Sequence, residues 1–141
     1  MNKLTLLLAG VALVASSLSA AAAETIPAKY RGEWCDHGAY FLPYHRNLCK
    51  RGGLGYMRIT ATNYELEMED VERCRIISLK TDSYQRADGT MTADHLITFI
   101  CNIDGAERPL SLTSRFGTSP GRMGRGIRLY IEPLDSDQKN Q

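Results

Sequence analysis

From Tyr64 to Glu69 the chain reads Tyr-Glu-Leu-Glu-Met-Glu, a strict alternation of apolar and charged residues. Successive side chains of a β-strand point to opposite faces, so this period of two puts Tyr64, Leu66 and Met68 on a buried face and three glutamates in water. The same kind of segment recurs along the chain: short runs rich in β-branched and aromatic residues, punctuated by turn residues. Strands are expected at Tyr30–Cys35, Leu54–Ala61, Tyr64–Glu69, Cys74–Thr81, Asp94–Asn102, Arg108–Thr113 and Ile127–Ile131. Asp88-Gly89 and Asp104-Gly105 supply reversals, a Gly-rich loop is expected from Gly117 to Gly126, and Pro133 ends the last strand. No segment has a clean helical period; a short helical turn within residues 37–48 is the best chance of one. The pattern predicts an all-β fold, a small antiparallel barrel or sandwich of about seven to eight strands.

The N-terminus follows another plan. Lys3 precedes an apolar run from Leu4 to Val14, and small residues fill the stretch from Ala15 to Ala23. That order is the one read by the secretory machinery, with a helical signal peptide over residues 1–23 and cleavage before Glu24. Only Leu4 to Val14 is apolar enough for hydrocarbon, well short of the roughly 20 residues a spanning helix needs. The expectation is therefore a signal peptide at 1–23, a single β domain at 24–134, a flexible polar tail at 135–141, and a periplasmic or secreted protein with no integral span in the mature chain. The mature 118 residues suffice for one core. Lys3 is the sole charge in the leader, so 16 basic residues remain against 16 acidic ones, and bulk charge points to no partner. The acidic stretch of Glu65, Glu67, Glu69, Asp70 and Glu72 reads as a solvated strand face.

All four cysteines, Cys35, Cys49, Cys74 and Cys101, follow the leader. An even count in an exported domain reads as two disulfides. No C-x-x-C spacing suggests a metal or haem. Four cysteines allow three connectivities. A hairpin register that pairs residue 81 with 94 also sets Cys74 opposite Cys101, leaving Cys35 to close with Cys49 around a local loop.

The opening Pro27-x-x-Tyr30-x-Gly32-x-Trp34 contains G-x-W on the expected first strand. It resembles the first-strand motif of lipocalin-like (calycin) barrels, and also the opening of small exported bacterial domains that include periplasmic protease inhibitors. The resemblance implies an eight-stranded antiparallel barrel in which Gly32 allows close backbone approach and Trp34 plugs one end. Both roles are structural, and a fold does not specify a function.

Little in the chain suggests catalysis. There is no G-x-S-x-G nucleophile elbow. The spacing of His37, His45 and His95 matches no metal motif. Asp94 and His95 are neighbours on a strand and point to opposite faces. A small hydrolase or glycan-active enzyme would need a His–carboxylate pair brought together by the fold. No catalytic residue, cofactor or metal is assigned. Two surfaces are candidates for binding. One is the loop bounded by Cys35 and Cys49, in which Tyr40, Phe41 and Tyr44 would present aromatic contact area and His45 and Arg46 polar anchors; the alternative is a loop folded over one barrel end. The other is Ser119-Pro-Gly-Arg-Met-Gly-Arg-Gly-Ile-Arg128, in which Arg122 and Arg125, with Arg128, would meet phosphate or carboxylate; it lacks the Lys-Ser/Thr of a P-loop. The reading is an exported non-enzymatic binding module, inhibitor-like in character, with an envelope protein or glycan as partner and no nucleic acid. An envelope structural protein is a further alternative.

Overall fold

The computed structural model describes residues 23–120 and 126–134. The expected signal peptide up to residue 22, Arg122, Arg125 and the tail at 135–141 lie outside the described residues. Eight strands form: β1 Gly32–His37, β2 Tyr40–Pro43, β3 Tyr56–Ile59, β4 Asn63–Glu67, β5 Val71–Gln85, β6 Met91–Ile103, β7 Leu110–Pro120 and β8 Ile127–Pro133. They close into an antiparallel barrel, ordered β1-β2-β8-β7-β6-β5-β4-β3. Every strand has a neighbour on both sides around the ring, although β5 beyond Arg75 pairs with β6 alone and β2 meets β8 at one residue pair.

That order is not a simple meander. β1 lies between β2 and β3, so the chain leaving β2 must cross the outside of β1 to begin β3. Residues 44–55 make that crossing. Parity on β1 puts Trp34 inside and Cys35 outside, and the Cys35–Cys49 disulfide, with Cα atoms 5.7 Å apart, ties the crossing segment to the strand beneath it. Backbone bonds from Asp36 N to Gly55 O (2.7 Å) and from Tyr44 N to Glu33 O (3.0 Å) hold its two ends. In strand count and closure the barrel is consistent with a calycin-like one; the crossover departs from an up-and-down strand order.

The interior is filled by Ile26, Tyr30, Trp34, Met57, Ile59, Tyr64, Ile76, Ile97, Phe99, Phe116 and Leu129, all buried. Phe99, Phe116 and Tyr64 form an aromatic cluster, with centroids 4.9–6.1 Å apart. Such contacts add about 0.5–1.5 kcal/mol per pair beyond burial. Tyr30 does not begin a strand. It ends a 3-10 turn at Ala28–Tyr30 that carries the ring into the barrel, where its carbonyl accepts a hydrogen bond from Trp34 Nε1 at 2.9 Å. Ile26 N donates to Ala61 O at 2.7 Å. Ile26, Tyr30 and Trp34 together plug the end that carries the β3–β4 turn.

Cys74 pairs opposite Cys101 across β5 and β6, and the two are bonded, as the hairpin register requires. The register is not uniform, however. Up to Ile76↔Phe99 it follows the Cys74↔Cys101 pairing, but an irregularity between Ile76 and Ser78 shifts it, so Thr81 faces His95 rather than Asp94. The extra residue, Ile77, is largely exposed. A bulge inserts one residue into one strand only, and the sequence alone does not mark it.

Other expectations are revised at strand ends. The 37–48 region forms β2 and turns, one of them a single helical turn closed by Leu48 N and Cys49 N on His45 O. The alternation in β4 ends at Glu67, so Met68 is exposed in the turn. β7 runs on to Pro120, placing Gly117 inside a strand and not at the start of a loop. Glu65 is flanked by Arg58 on β3 and Arg73 on β5, and Arg73 lies 3.8 Å from Glu65 and 3.6 Å from Asp104. The acidic run of the sequence is thus interleaved with arginine on the folded wall.

Candidate functional site

Among the described residues two concavities combine burial with polar chemistry, apart from one of about 440 Å³ over the interleaved Arg58–Glu65–Arg73 wall. The first lies within the barrel, at the end opposite the Ile26–Tyr30 plug. β2 is only four residues long and meets β8 at a single pair, Phe41↔Leu129, so the inward faces of β4, β5, β7 and β8 do not close completely there. A cavity of about 480 Å³ results, within the range of small-molecule sites. Its apolar walls are Phe41, Leu66, Leu112, Ile131 and Leu134. Ser111, Thr113 and Ser114 add hydroxyls to the lining, and its one charged group is Glu72, whose carboxylate accepts the Tyr64 hydroxyl. Burial and the Glu72 charge push the Tyr64 phenol well above its ordinary value, so it stays protonated and donates. Cys74 and Cys101 approach Glu72 closely enough to suggest a metal cluster, but their sulfurs are bonded to each other, and one carboxylate makes no ligand set.

The second concavity, about 620 Å³, lies on the outer wall across β2, β5, β6, β7 and β8. Strand parity builds it. Asp94, Gly117 and Tyr130 occupy one row across β6, β7 and β8, all pointing outward, because Gly117 pairs with Tyr130 and the β6–β7 register sets Asp94 beside Gly117. The Tyr130 ring lies flat across Gly117: a Cβ placed there would be 2.2 Å from the ring's Cζ and hydroxyl, and 2.4 Å from Asp94 Oδ1. Only glycine lets the tyrosine reach over and donate to the Asp94 carboxylate. Asp94 is consequently buried on an outer face. Tyr84 Oη lies 3.3 Å from Tyr130 Oη. One turn of the pleat away, Arg115 is held between Asp82 (3.1 Å) and Glu132 (3.7 Å). Arg128 stacks on Tyr40 at 4.5 Å and donates from Nη2 to Pro120 O at 2.9 Å.

The residues singled out in the sequence divide among separate places. Tyr40 and Phe41 are neighbours on β2 and face opposite ways, Tyr40 onto the outer groove and Phe41 into the mouth cavity. Tyr44 belongs to the crossover, packed edge-on against Tyr56 (6.1 Å) and under Arg51 (4.5 Å). Arg51 in turn grips Glu33 with two bonds, at 2.7 and 2.9 Å, and Tyr56 Oη donates to the same carboxylate at 2.6 Å. Those bonds push the Glu33 carboxyl down to about 2. His45 accepts from Asn47 N at 3.2 Å within a turn, and Arg46 is exposed. The crossing segment therefore neither caps a barrel end nor presents its aromatics as one surface. Arg128 is the member of the arginine run that reaches a described concavity together with Arg115.

His95 points inward while Asp94 points outward, as their adjacency on a strand requires. The His95 Nδ1 lies 2.7 Å from Tyr30 Oη, which is 3.0 Å from the Phe116 carbonyl. The carbonyl only accepts, so the phenol proton goes to it and Nδ1–H donates to the phenol oxygen. Desolvation, aided by Lys29, lowers the His95 pKa. Among the described residues no histidine is hydrogen-bonded to, or in an ion pair with, a carboxylate. No helix among them is long and apolar enough to cross a membrane.

The sequence reading missed Asp94, Gly117, Tyr130, Leu112 and Glu72 as site residues. One signal was available. Gly117 sits amid strand-forming residues, and a glycine inside a strand marks a bulge or a close approach by another group. Compared with protein-family models, curated proteins and solved structures, the chain matches none at a meaningful level.

Proposed function

We propose that the protein is a non-enzymatic binding module that acts in the periplasm or outside the cell, and that the barrel mouth takes a small amphipathic ligand with a cationic head. The observation that carries this reading is the mouth cavity, in which apolar walls enclose a single carboxylate, Glu72. An alkyl body gains about 25 cal/mol for each Å² of apolar surface removed from water. A cation beside Glu72 gains a charge-assisted hydrogen bond without displacing Tyr64, because a carboxylate offers about four acceptor positions. The leader-like N-terminus and the two disulfides support the location, since such bonds are typical of proteins outside the cytoplasm.

Displacement of a neutral fluorescent naphthylamine from the oxidised protein tests the reading. Decylamine should compete roughly tenfold better than decanoate, the difference a charge-assisted bond supports, and Glu72→Gln should remove that preference. Leu112→Trp should fill the mouth and abolish dye binding while the protein remains folded by circular dichroism. Equal competition by the two ligands, or undiminished dye binding by folded Leu112→Trp, refutes it.

A further inference from the structure

Three polar side-chain atoms in the described residues are shut away from solvent with no hydrogen-bond partner: Arg115 Nε, Ser119 Oγ and Arg128 Nε. All three belong to residues that line the outer groove. Folded proteins pair nearly all buried polar groups, and each exception calls for an explanation. Three gathered in one concavity have a common one, a ligand that completes them. Two of the three are guanidinium N–H groups, which can only donate, so the missing partner is an acceptor.

The rest of the groove narrows the class. Among the groove's lining residues Arg115 is matched by Asp82 and Glu132, while Arg86 and Arg128 have no carboxylate partner among the described residues, which suits a ligand with an anionic group. Arg115 is already braced by Asp82 and Glu132, and Arg128 by the Tyr40 ring and the Pro120 carbonyl, so little side-chain freedom remains to be lost on binding. A volume of about 620 Å³ is far more than a bare inorganic anion fills. Tyr40 and Tyr84 are each 37% exposed and offer flat faces to C–H surfaces, while the Glu132 carboxylate can accept from hydroxyls. We infer that this groove is a second binding site, independent of the mouth, for a saccharide that carries one carboxylate or phosphate. The arginine Nε–H groups and Ser119 take the oxyanion, and the tyrosines and Glu132 take the hydroxylated body.

Arginine Nε–H resonances of the ¹⁵N-labelled oxidised protein report on the donors themselves. Glucuronate at millimolar concentration should shift the Arg115 and Arg128 signals and slow their exchange with water. Glucose, which lacks the anion, should leave them in place. Inorganic phosphate should bind more weakly than glucuronate because it lacks the body. Arg128→Lys keeps the charge but deletes Nε, and should weaken glucuronate roughly tenfold or more, as loss of a hydrogen bond to a charged group does; Ser119→Ala, a smaller change, should weaken it in the same direction. Leu112→Trp should have no effect, which separates this site from the mouth. Unmoved Nε–H signals with glucuronate overturn the proposal, as does phosphate binding as tightly as glucuronate.

Discussion

Gly117→Ala is a one-carbon substitution whose effect should depend on a residue on the neighbouring strand. Gly117 has no left-handed backbone angle, so alanine there carries no conformational strain of its own, and by narrowing the unfolded ensemble it should stabilise by about 0.4–1 kcal/mol. The obstacle is the Tyr130 ring, 2.2 Å from the new Cβ, with Asp94 Oδ1 at 2.4 Å. Tyr130 must swing away, and the bond to the buried Asp94 is lost. A hydrogen bond to a charged group contributes about 1.5–3 kcal/mol; with the lost ring packing, Gly117→Ala should cost about 2–4 kcal/mol. For a domain near 110 residues that lowers Tm by roughly 10–20 °C. In a Tyr130→Ala background the ring is gone and the Asp94 carboxylate, no longer held by the tyrosine, can turn away from the new Cβ toward water, so the same substitution should become neutral or slightly stabilising. Urea unfolding of the four proteins in the cycle, followed by near-ultraviolet circular dichroism, measures both values. An equal cost in both backgrounds would refute the account, as would no cost in the otherwise unchanged protein.

Alternation on β2 separates two aromatic neighbours energetically. Phe41→Ala removes a ring packed against the core and should destabilise by about 2–3 kcal/mol, somewhat less than a fully buried phenylalanine, whereas Tyr40→Ala, which strips an exposed ring from beneath Arg128, should cost under about 1 kcal/mol; chemical denaturation of the two variants tests this, and equal costs would place both rings on one face. The depressed His95 pKa means that the unfolded chain binds the proton more readily than the folded one. Stability should be full above about pH 6.5, the ordinary histidine value, and fall as pH drops below it toward the lower folded value. His95→Gln should flatten that part of the profile between pH 8 and 5, and parallel profiles for the two proteins would exclude His95 as the cause.

What could be read in the sequence was what nearest neighbours determine. The alternation at Tyr64–Glu67, the reversals at Gly89 and Gly105, and the opposition of Cys74 to Cys101 all follow from period and local register. Ile77 shows where this fails. Nothing about an isoleucine followed by serine distinguishes a bulged position from a paired one, and beyond it every pairing on β5 and β6 moves by one. The bulge also decides what β5 lends to the outer wall, because it sets Asp82 opposite Asp94. The outer groove was illegible for a related reason. Asp94, Gly117 and Tyr130 are far apart in sequence and meet only because three registers align, and each register depends on turns whose lengths must first be known.

The aromatic run Tyr40-Phe41-Leu42-Pro43-Tyr44 is the clearest case of one local pattern with two physical outcomes. As a disulfide-bounded loop it would display its rings together. As a strand it splits them, and the choice rests on where β2 finds a partner. β8 offers one on the far side of β1, and taking it requires the chain to return over β1 to begin β3. The return crosses an outer strand face that would otherwise be solvated, so it must be held there. Cys35–Cys49, the Glu33–Arg51 pair and Tyr56 supply that attachment from the strands beneath. The same local sequence that looked like a binding loop therefore acts first as a strap that permits the barrel to close through β2. Closure by so short a strand, joined to β8 at one residue pair, leaves the mouth beside Phe41 open. On this account the strap and the cavity have one origin. Lengthening β2 to pair fully with β8 would close the mouth, and releasing the strap would loosen the strand that forms its rim.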